Sequence, residues 1–385
     1  MKEILSIIHF RRIRVQIGIP KETFVGEARV AGSPETVKKF IKLGVEVYVA
    51  KNAGNTAYFS DLEYEAAGAK ICKQTEAFQK ELVLKVRAPQ KAELNDLKSG
   101  TTLVGMLEPY NKEYLAEIAK KGITAFALES APRTTRAQTL DVLSSQANIA
   151  GYKAVLVGAG EYPKLFPMLM TAAGSTKAAK VIVLGAGVAG LQAIATAKRL
   201  GAVVEASDVR PSVKEQIESL GAKFIDVPLE TEEERAAAEG EGGYAKAMPA
   251  SWLKRQSERV AEKIAKADMV ISTALIPGKK APLLITNGMV QSMKPGSVIV
   301  DMAVEQGGNC EGSEIDTIKE FNGVKVIGFT NLPAKVSSDS SALYSRNIYD
   351  FAKLIISEEK TLIIPEDDDI VQATLVIKEG QLWKP

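Results

Sequence analysis

The segment Val181-Ile-Val-Leu-Gly185-Ala-Gly187-Val-Ala-Gly190 constrains the fold more than any other part of the chain. A short apolar run, Lys180–Leu184, leads into glycines spaced G-x-G-x-x-G, and the helix-length run Ala189–Leu200 follows. In such a turn the first glycine makes the tight bend. The second lets a ligand approach the backbone, and the third lets helix and strand pack closely. The helix start then offers unpaired N–H groups and the positive end of a dipole to phosphates, through Ala186 and Val188 as well as the glycines. The next apolar run, Val203–Ser207, ends at Asp208, 21 residues after Gly187. A carboxylate at that place accepts hydrogen bonds from ribose hydroxyls. It also repels a 2′-phosphate, so NAD is expected rather than NADP, although Arg210, two residues on, can offset the charge.

The rest of the chain alternates in the same way. Val15–Ile19 reads as a strand. Ser33-Pro34-Glu35 opens a helix with a Ser cap and Pro at the first helical position, and Gly44 closes it. Strands at Val45–Val49, Leu82–Val86, Leu103–Leu107 and Ile123–Leu128 are separated by helices, one capped by Ser60 and one over Lys112–Lys121. Strands alternating with helices argue for a mainly parallel sheet covered on both faces. After a long helical stretch, Leu140–Val157, the pattern starts again. Strands follow at Lys180–Leu184, Val203–Ser207, Lys223–Val227, Met269–Thr273, Val298–Asp301 and Val324–Phe329. Helices are read at Val213–Leu220, Ser251–Ala267 and Leu283–Met293, with a polar, Gly-rich stretch at Glu230–Met248.

A tail helix, Leu343–Ile356, is expected to pack back on the first block. The fold class is therefore α/β, with two doubly wound Rossmann-like domains and the nucleotide domain inserted into a discontinuous first domain. The expected boundaries are 1–143 with 334–385 for the discontinuous domain, and 144–333 for the NAD(H)-binding one.

Composition removes several other classes. Lys plus Arg total 49 against 47 Asp plus Glu, a formal charge of +2, which gives no long-range steering towards nucleic acid or an anionic membrane. Two cysteines, Cys72 and Cys310, make no disulfide framework and read as buried, reduced thiols in a cytoplasmic protein. No Cys/His cluster has metal-ligand spacing, so no metal is expected. No run approaches the ~18–20 apolar residues of a membrane span. The first strand begins only near Arg14, so residues 1–12 read as an extension without signal-peptide character.

The glycine turn, the stretch Pro132-Arg133-Thr-Thr-Arg136-Ala-Gln138-Thr-Leu-Asp141-Val-Leu-Ser144-Ser145-Gln146 and the run Thr273-Ala-Leu275-Ile-Pro-Gly278 together resemble the alanine dehydrogenase/transhydrogenase family. Met170-Thr-Ala-Ala-Gly174, Gly243-Tyr244-Ala-Lys246 and Val304-Glu305-Gln-Gly-Gly308-Asn-Cys310 add to the likeness, which runs from Arg14 to the tail helix. Within the family the chain is most similar to the NAD(H)-binding branch that serves proton-translocating transhydrogenases.

The resemblance implies an NAD(H)-binding subunit that passes hydride from NADH directly to NADP⁺ held on a partner subunit. A further component would span the membrane, with this chain peripheral on the cytoplasmic face and homodimeric. With Pro385 as the last residue, the membrane part is expected on another polypeptide. By resemblance, Arg133, Gln138 and Asp141 surround the nicotinamide, with Thr134, Thr135 and Ser144 as further contacts of that loop. Asp208, Val209 and Arg210 match the adenosine-ribose contact, and Gly243, Gln256 and Leu275 match other NAD contacts. Tyr244 matches the tip of a mobile loop facing the NADP-binding partner.

Alanine dehydrogenase is the alternative. Oxidising an amino acid requires proton transfer as well as hydride transfer, and that enzyme uses a histidine for it. The only histidine here is His9, and Leu103-Val-Gly-Met-Leu-Glu-Pro109, where the family's catalytic histidine belongs, has none. Hydride exchange between two nicotinamides needs orientation instead of a proton donor. Arg29, Lys85 and Glu305 stand where the dehydrogenase holds its substrate or an acid. They read here as residues satisfying local charges. A nucleotide-dependent regulatory module is a third reading, supported only by the loop around Tyr244.

Overall fold

Buried apolar runs of three to five residues set up two parallel sheets. A computed structural model describes residues 14–239, 248–276 and 278–383. By its internal contacts the chain divides into two units, Met1–Ser145 with Ser337–Pro385, and Gln146–Val336.

In the first unit the parallel strands lie in the order Lys70–Cys72, Glu46–Ala50, Gln16–Ile19, Leu82–Leu84, Thr102–Gly105, Thr124–Ala127. Numbered along the unit, this is 3-2-1-4-5-6, a doubly wound order. Leu375–Lys378 adds antiparallel to Thr124–Ala127, and Gln381–Leu382 adds antiparallel beyond it. The edge strand Lys70–Cys72 was not expected, because it is short and incompletely buried and so lacks a continuous apolar run.

Helix Pro34–Leu43 forms as the sequence requires. Ser33 accepts from the Thr36 N–H, the Thr36 side chain accepts from the Ser33 N–H, and Gly44 closes the helix in the left-handed region at φ 94°.

The tail helix runs over Ser337–Ala352, starting six residues and ending four residues earlier than its apolar pattern indicates. Its first turns bury hydroxyl groups, which pattern reading assigns to solvent. The Ser341 hydroxyl accepts from the Val30 N–H at 3.1 Å, and the Ser345 hydroxyl donates to Ser33 at 3.0 Å. Tyr344, Ile348 and Phe351 then enter the core, with Phe351 against Phe126 at 5.3 Å between ring centroids.

The second unit repeats the order: Lys223–Phe224, Val203–Ser207, Lys180–Leu184, Met269–Ser272, Val298–Asp301, Val324–Ile327 are parallel, and Ile318–Phe321 is added antiparallel at the edge. Met269–Ser272 and Val298–Asp301 are buried throughout, as central strands covered on both faces must be. The long helix Val142–Glu161 carries two glycines at close approaches. A Cβ at Gly151 would collide with the Ala189 carbonyl, and one at Gly158 would lie 2.7 Å from Met269 Cε.

The edge strand Ile318–Phe321 was not expected, nor were the following elements. Leu169–Thr171 and Gly174–Thr176 form a hairpin with a sheet of its own. The polar stretch after Glu230 contains the helix Glu232–Glu239. Glu234 holds this helix down: it is buried, pairs with Arg255 at 2.8 Å and accepts from the Glu230 N–H at 2.7 Å. Around it Val227, Ala237, Met248 and Trp252 make a small apolar core. The helix expected over Leu283–Met293 is shorter, Asn287–Ser292, because Thr286 caps it and Leu284 and Ile285 give their N–H groups to Asn309. Among the described residues no helix is long and apolar enough to cross a membrane.

Candidate functional site

In the second unit the glycine turn follows the first parallel strand, next to the fourth. In that strand order this is where neighbouring connections leave to opposite faces and a crevice opens at the carboxyl ends. Gly185 has φ 94°, and a Cβ there would sit 2.7 Å from Thr273 Oγ1. A Cβ on Gly190 would collide with the Gly185 carbonyl oxygen, so helix and turn touch backbone to backbone. Gly187 differs from both. Its φ of −72° suits any residue, and a Cβ added to it would meet nothing within 4 Å. Neither conformation nor packing of this chain calls for glycine at 187. What the missing side chain leaves is open backbone at the start of the helix Val188–Arg199, which no side chain caps. An exposed, uncapped helix start fits the phosphates of a dinucleotide.

Asp208 stands at the end of the second strand and is buried. Its Oδ2 accepts from the Ala186 N–H at 2.7 Å, so the acid also ties down the glycine turn. Arg210 lies across it: Oδ1 accepts from the Arg210 backbone N–H at 2.9 Å and from Nε at 2.9 Å, and Oδ2 accepts from Nη2 at 3.0 Å. This contact raises the Arg210 pKa above its ordinary value. Gln256, on the helix Ala250–Ile264, donates to the Ser207 hydroxyl at 3.2 Å, beside Asp208. Val209 packs against the small core around Trp252. Val188 and Leu275 are exposed, at the helix start and after the strand Met269–Ser272.

Sequence reasoning missed the residues that shape that second segment. Asp301 is fully buried and accepts from the N–H groups of Ala303, Asn309 and Cys310 and from the Ser272 hydroxyl. Asn309, also fully buried, accepts from the Ala274 N–H at 3.1 Å and donates to the carbonyls of Ala274 and Pro282. Gly308, at φ 78°, was the available signal: a Cβ there would sit 2.7 Å from Asp301 Oδ2. Glu305 is exposed in the short helical turn Val304–Gln306.

In the first unit Arg133, Thr134, Thr135 and Gln138 share one exposed segment, mostly the 3-10 helix Thr135–Leu140. Ala137 and Leu140 anchor it in the core. Asp141 and Ser144 are brought together at the start of the long helix. The carboxylate accepts from the Ser144 N–H at 2.9 Å and from its hydroxyl at 2.6 Å, as a helix cap does. Gly243 and Tyr244 lie outside the described residues, as does His9.

The first unit has a switch point of its own, after Gln16–Ile19 and Leu82–Leu84, and ion pairs fill it. Lys85 is buried between Glu22 at 3.2 Å and Glu93 at 3.1 Å, and Glu27 is buried between Arg29 at 2.7 Å and Arg87 at 3.3 Å. Burial pushes the Glu22 carboxyl above its usual range in spite of Lys85. Burial acts the same way on Glu27, but the Arg29 contacts outweigh it and bring Glu27 down to about 2. Where a histidine was sought, Met106 and Leu107 follow the strand Thr102–Gly105, and half-buried Glu129 accepts the N–H groups of Leu107 and Glu108.

Both cysteines are free. Burial raises Cys72 to about 11 and Cys310 to about 12, so neither supplies a thiolate near neutral pH. Cys72 is only partly buried, where full burial was expected. Among the described residues no group of three His, Cys, Asp or Glu is placed to hold a metal ion.

Comparison with known proteins bears on both units. Residues 18–150 match the family model "Alanine dehydrogenase/PNT, N-terminal domain", and residues 154–385 match "Alanine dehydrogenase/PNT, C-terminal domain". The chain is 48% identical over 380 residues to the first portion of the NAD(P) transhydrogenase subunit alpha of Rhodospirillum rubrum, covering 96% of this chain and 98% of the relative. It is 32% identical to an alanine dehydrogenase of Staphylococcus aureus strain N315, covering 95% and 94%. The crystal structure of transhydrogenase from Sinorhizobium meliloti superposes with a TM-score of 0.86 at 46% identity, covering 95% of this chain and 99% of the other.

Proposed function

The chain belongs to the alanine dehydrogenase/transhydrogenase family, and from that membership we propose that it is the NAD(H)-binding subunit of a proton-translocating transhydrogenase. The observation that carries this reading over an amino-acid dehydrogenase is the filled switch point of the first unit. Lys85 and Arg29, the cations that would take a substrate carboxylate, are already bound by buried carboxylates. The histidine count agrees, since His9 is the only one.

NAD(H) is held by backbone at one end and side chains at the other. The turn Gly185–Gly190 gives open backbone to the pyrophosphate, and Val188 gives its N–H at the helix start, whereas the Ala186 N–H, expected to serve there too, is already taken by Asp208 and supports the turn instead. Asp208 takes the adenosine ribose hydroxyls, with Val209, Arg210, Gly243, Gln256 and Leu275 as further contacts. A carboxylate has about four acceptor sites, and Ala186 and Arg210 fill that many on Asp208. Seating the ribose therefore exchanges the Arg210 side-chain bonds for hydroxyl donors. The acid keeps its place at the 2′-position, which favours NAD over NADP.

Arg133, Gln138 and Asp141, with Thr134, Thr135 and Ser144, orient the nicotinamide ring, and Tyr244 faces the partner. The bound nicotinamide supplies the hydride, delivered to NADP⁺ on the partner subunit. These residues need only fix distance and angle, for which orientation alone contributes several kcal/mol, up to about 7–11.

A membrane-spanning component completes the assembly, and the chain docks to it peripherally on the cytoplasmic side. It acts as a homodimer, supported by the hairpin Leu169–Thr176. An isolated two-stranded hairpin is marginal in water, and this one exposes Met168, Leu169 and Met170.

The test mixes the purified chain with the NADP-binding component of the same cell and follows hydride transfer from NADH to an NADP⁺ analogue. Turnover in the mixture and no NAD reduction with alanine by the chain alone is the expected result. Alanine oxidation by the isolated chain would establish the dehydrogenase instead.

A further inference from the structure

The segment proposed to meet the nicotinamide does not hold its own shape. Thr135–Leu140 is six residues of 3-10 helix, and runs beyond three or four are uncommon because the hydrogen bonds are poorly aligned. Two buried apolar side chains, Ala137 and Leu140, fix its inner side. Its outer side is fixed by the C-terminal part of the chain. Arg136 forms a fork on Asp368, Nη1 to Oδ2 at 2.8 Å and Nη2 to Oδ1 at 2.6 Å, and Nη2 also donates to Asp369 at 2.7 Å. Asp368 is held in turn, since its Oδ1 accepts from the N–H groups of Ile370 and Val371 at the start of the helix Asp369–Thr374.

Asn347 makes the second brace. Its amide nitrogen donates to the Thr139 carbonyl at 2.7 Å, and its amide oxygen accepts from the Ser145 hydroxyl at 2.7 Å. Asn347 is 7% exposed, inside the helix Ser337–Ala352. Its two bonds grip the segment at its end and again at the start of the following helix. Gln138 lies between the two braces, and Arg133 and Thr134 lie just before them.

We propose that Arg136, with Asp368, and Asn347 are positioning residues for the nicotinamide end of the site. They set the direction of Arg133 and Gln138 from the C-terminal helices without touching the nucleotide. The proposal rests on the reading of Arg133–Ser144 as the nicotinamide loop. It goes beyond it by assigning the geometry of that loop to residues some 200 positions away in sequence.

The test separates the two ends of the ligand. The full chain and Arg136→Gln are titrated with NADH and with ADP-ribose, which lacks the nicotinamide. Arg136 is half exposed, so its replacement leaves folding intact. Loss of an exposed fork of this kind weakens NADH about fivefold and leaves ADP-ribose unchanged. Arg136→Lys, which keeps the charge but not the fork, falls between. In the mixture with the NADP-binding component, kcat for hydride transfer falls in the same order. Asn347→Asp, which sets a second acceptor against the Thr139 carbonyl, repeats the pattern.

Equal weakening of both ligands, or none of either, overturns the positioning role while leaving the nicotinamide loop in place. A wild-type chain that binds ADP-ribose as tightly as NADH removes the loop reading itself, and this proposal with it.

Discussion

The two units share a strand order, 3-2-1-4-5-6, and therefore each has a switch point between its first and fourth strands. They use it in opposite ways. In the second unit the first strand turns directly on glycines into a helix whose start is uncapped and whose second glycine faces open space. In the first unit the strand Gln16–Ile19 leads to Glu22, Glu27 and Arg29, and the helix waits until Ser33 closes it with a capping box. Its crevice is occupied by three carboxylates and three cations that pair with one another. Topology provides the crevice twice, and local chemistry decides which one is left for a ligand.

The largest expected effect tests the filled crevice. Lys85→Met removes the one cation between Glu22 and Glu93, and breaking a buried pair from one side costs about 3–5 kcal/mol. Urea unfolding at neutral pH reads this directly. The loss should depend on pH in a defined direction. Glu22 already titrates above its ordinary value because of burial, with Lys85 lowering it, so removing Lys85 raises it further. A carboxyl whose folded pKa is raised is penalised when ionised. The penalty is therefore complete above that raised pKa and is relieved as pH falls through it towards the ordinary value of 4.5. A variant that loses less than about 1 kcal/mol at pH 7, or whose deficit grows on acidification, would mean that these charges do not fill the crevice as a paired set.

A smaller effect is expected at the open crevice. Asp208→Ala removes the proposed ribose acceptor, worth about 1.5–3 kcal/mol for bonds to a charged group, or roughly tenfold to a hundredfold in the NADH dissociation constant. The same change releases the Arg210 side chain from its acid. NADPH, with its 2′-phosphate, should therefore lose much less than NADH, and the ratio of the two constants should narrow. Parallel loss for both nucleotides would mean that Asp208 acts only by holding the Ala186 N–H and the turn.

How much of this was legible depended on whether a residue acts through pattern or through partners. The glycine turn, Asp208, the Ser33 cap and the central strands are local and periodic, and they stand in the structure within one to three residues of their expected places. The elements that escaped are held by polar groups inside the protein. Ser341 and Ser345 make the first turns of the tail helix an inward face, and Glu234 turns a polar stretch into the helix Glu232–Glu239. Asn347 and Asp368 escaped because their partners, Thr139 and Arg136, are more than 200 residues away. No spacing rule reaches that far. Asp301 could have been suspected from Gly307-Gly308-Asn309, but only once glycine was read there as room for a neighbouring carboxylate.

The smallest change in stability belongs to the most direct test of the comparison. Gly187→Ala adds a methyl group that meets nothing in the protein, at a φ of −72° that alanine adopts freely. Alanine is a poorer helix cap than glycine, but it also lowers the entropy of the unfolded chain by about 0.4–1 kcal/mol. The two effects oppose each other, and the melting temperature should barely move. Affinity should move, because on the proposed reading the methyl stands where the pyrophosphate meets bare backbone. A tenfold weaker NADH constant corresponds to about 1.4 kcal/mol. Gly190→Ala is the control on the same turn. Its methyl runs into the Gly185 carbonyl, and overpacking of that kind costs about 1–3 kcal/mol of stability. If Gly187→Ala binds NADH as the wild type does, the open space beside it is not the phosphate site. The two switch points would then differ in how they are filled, but not in what they hold.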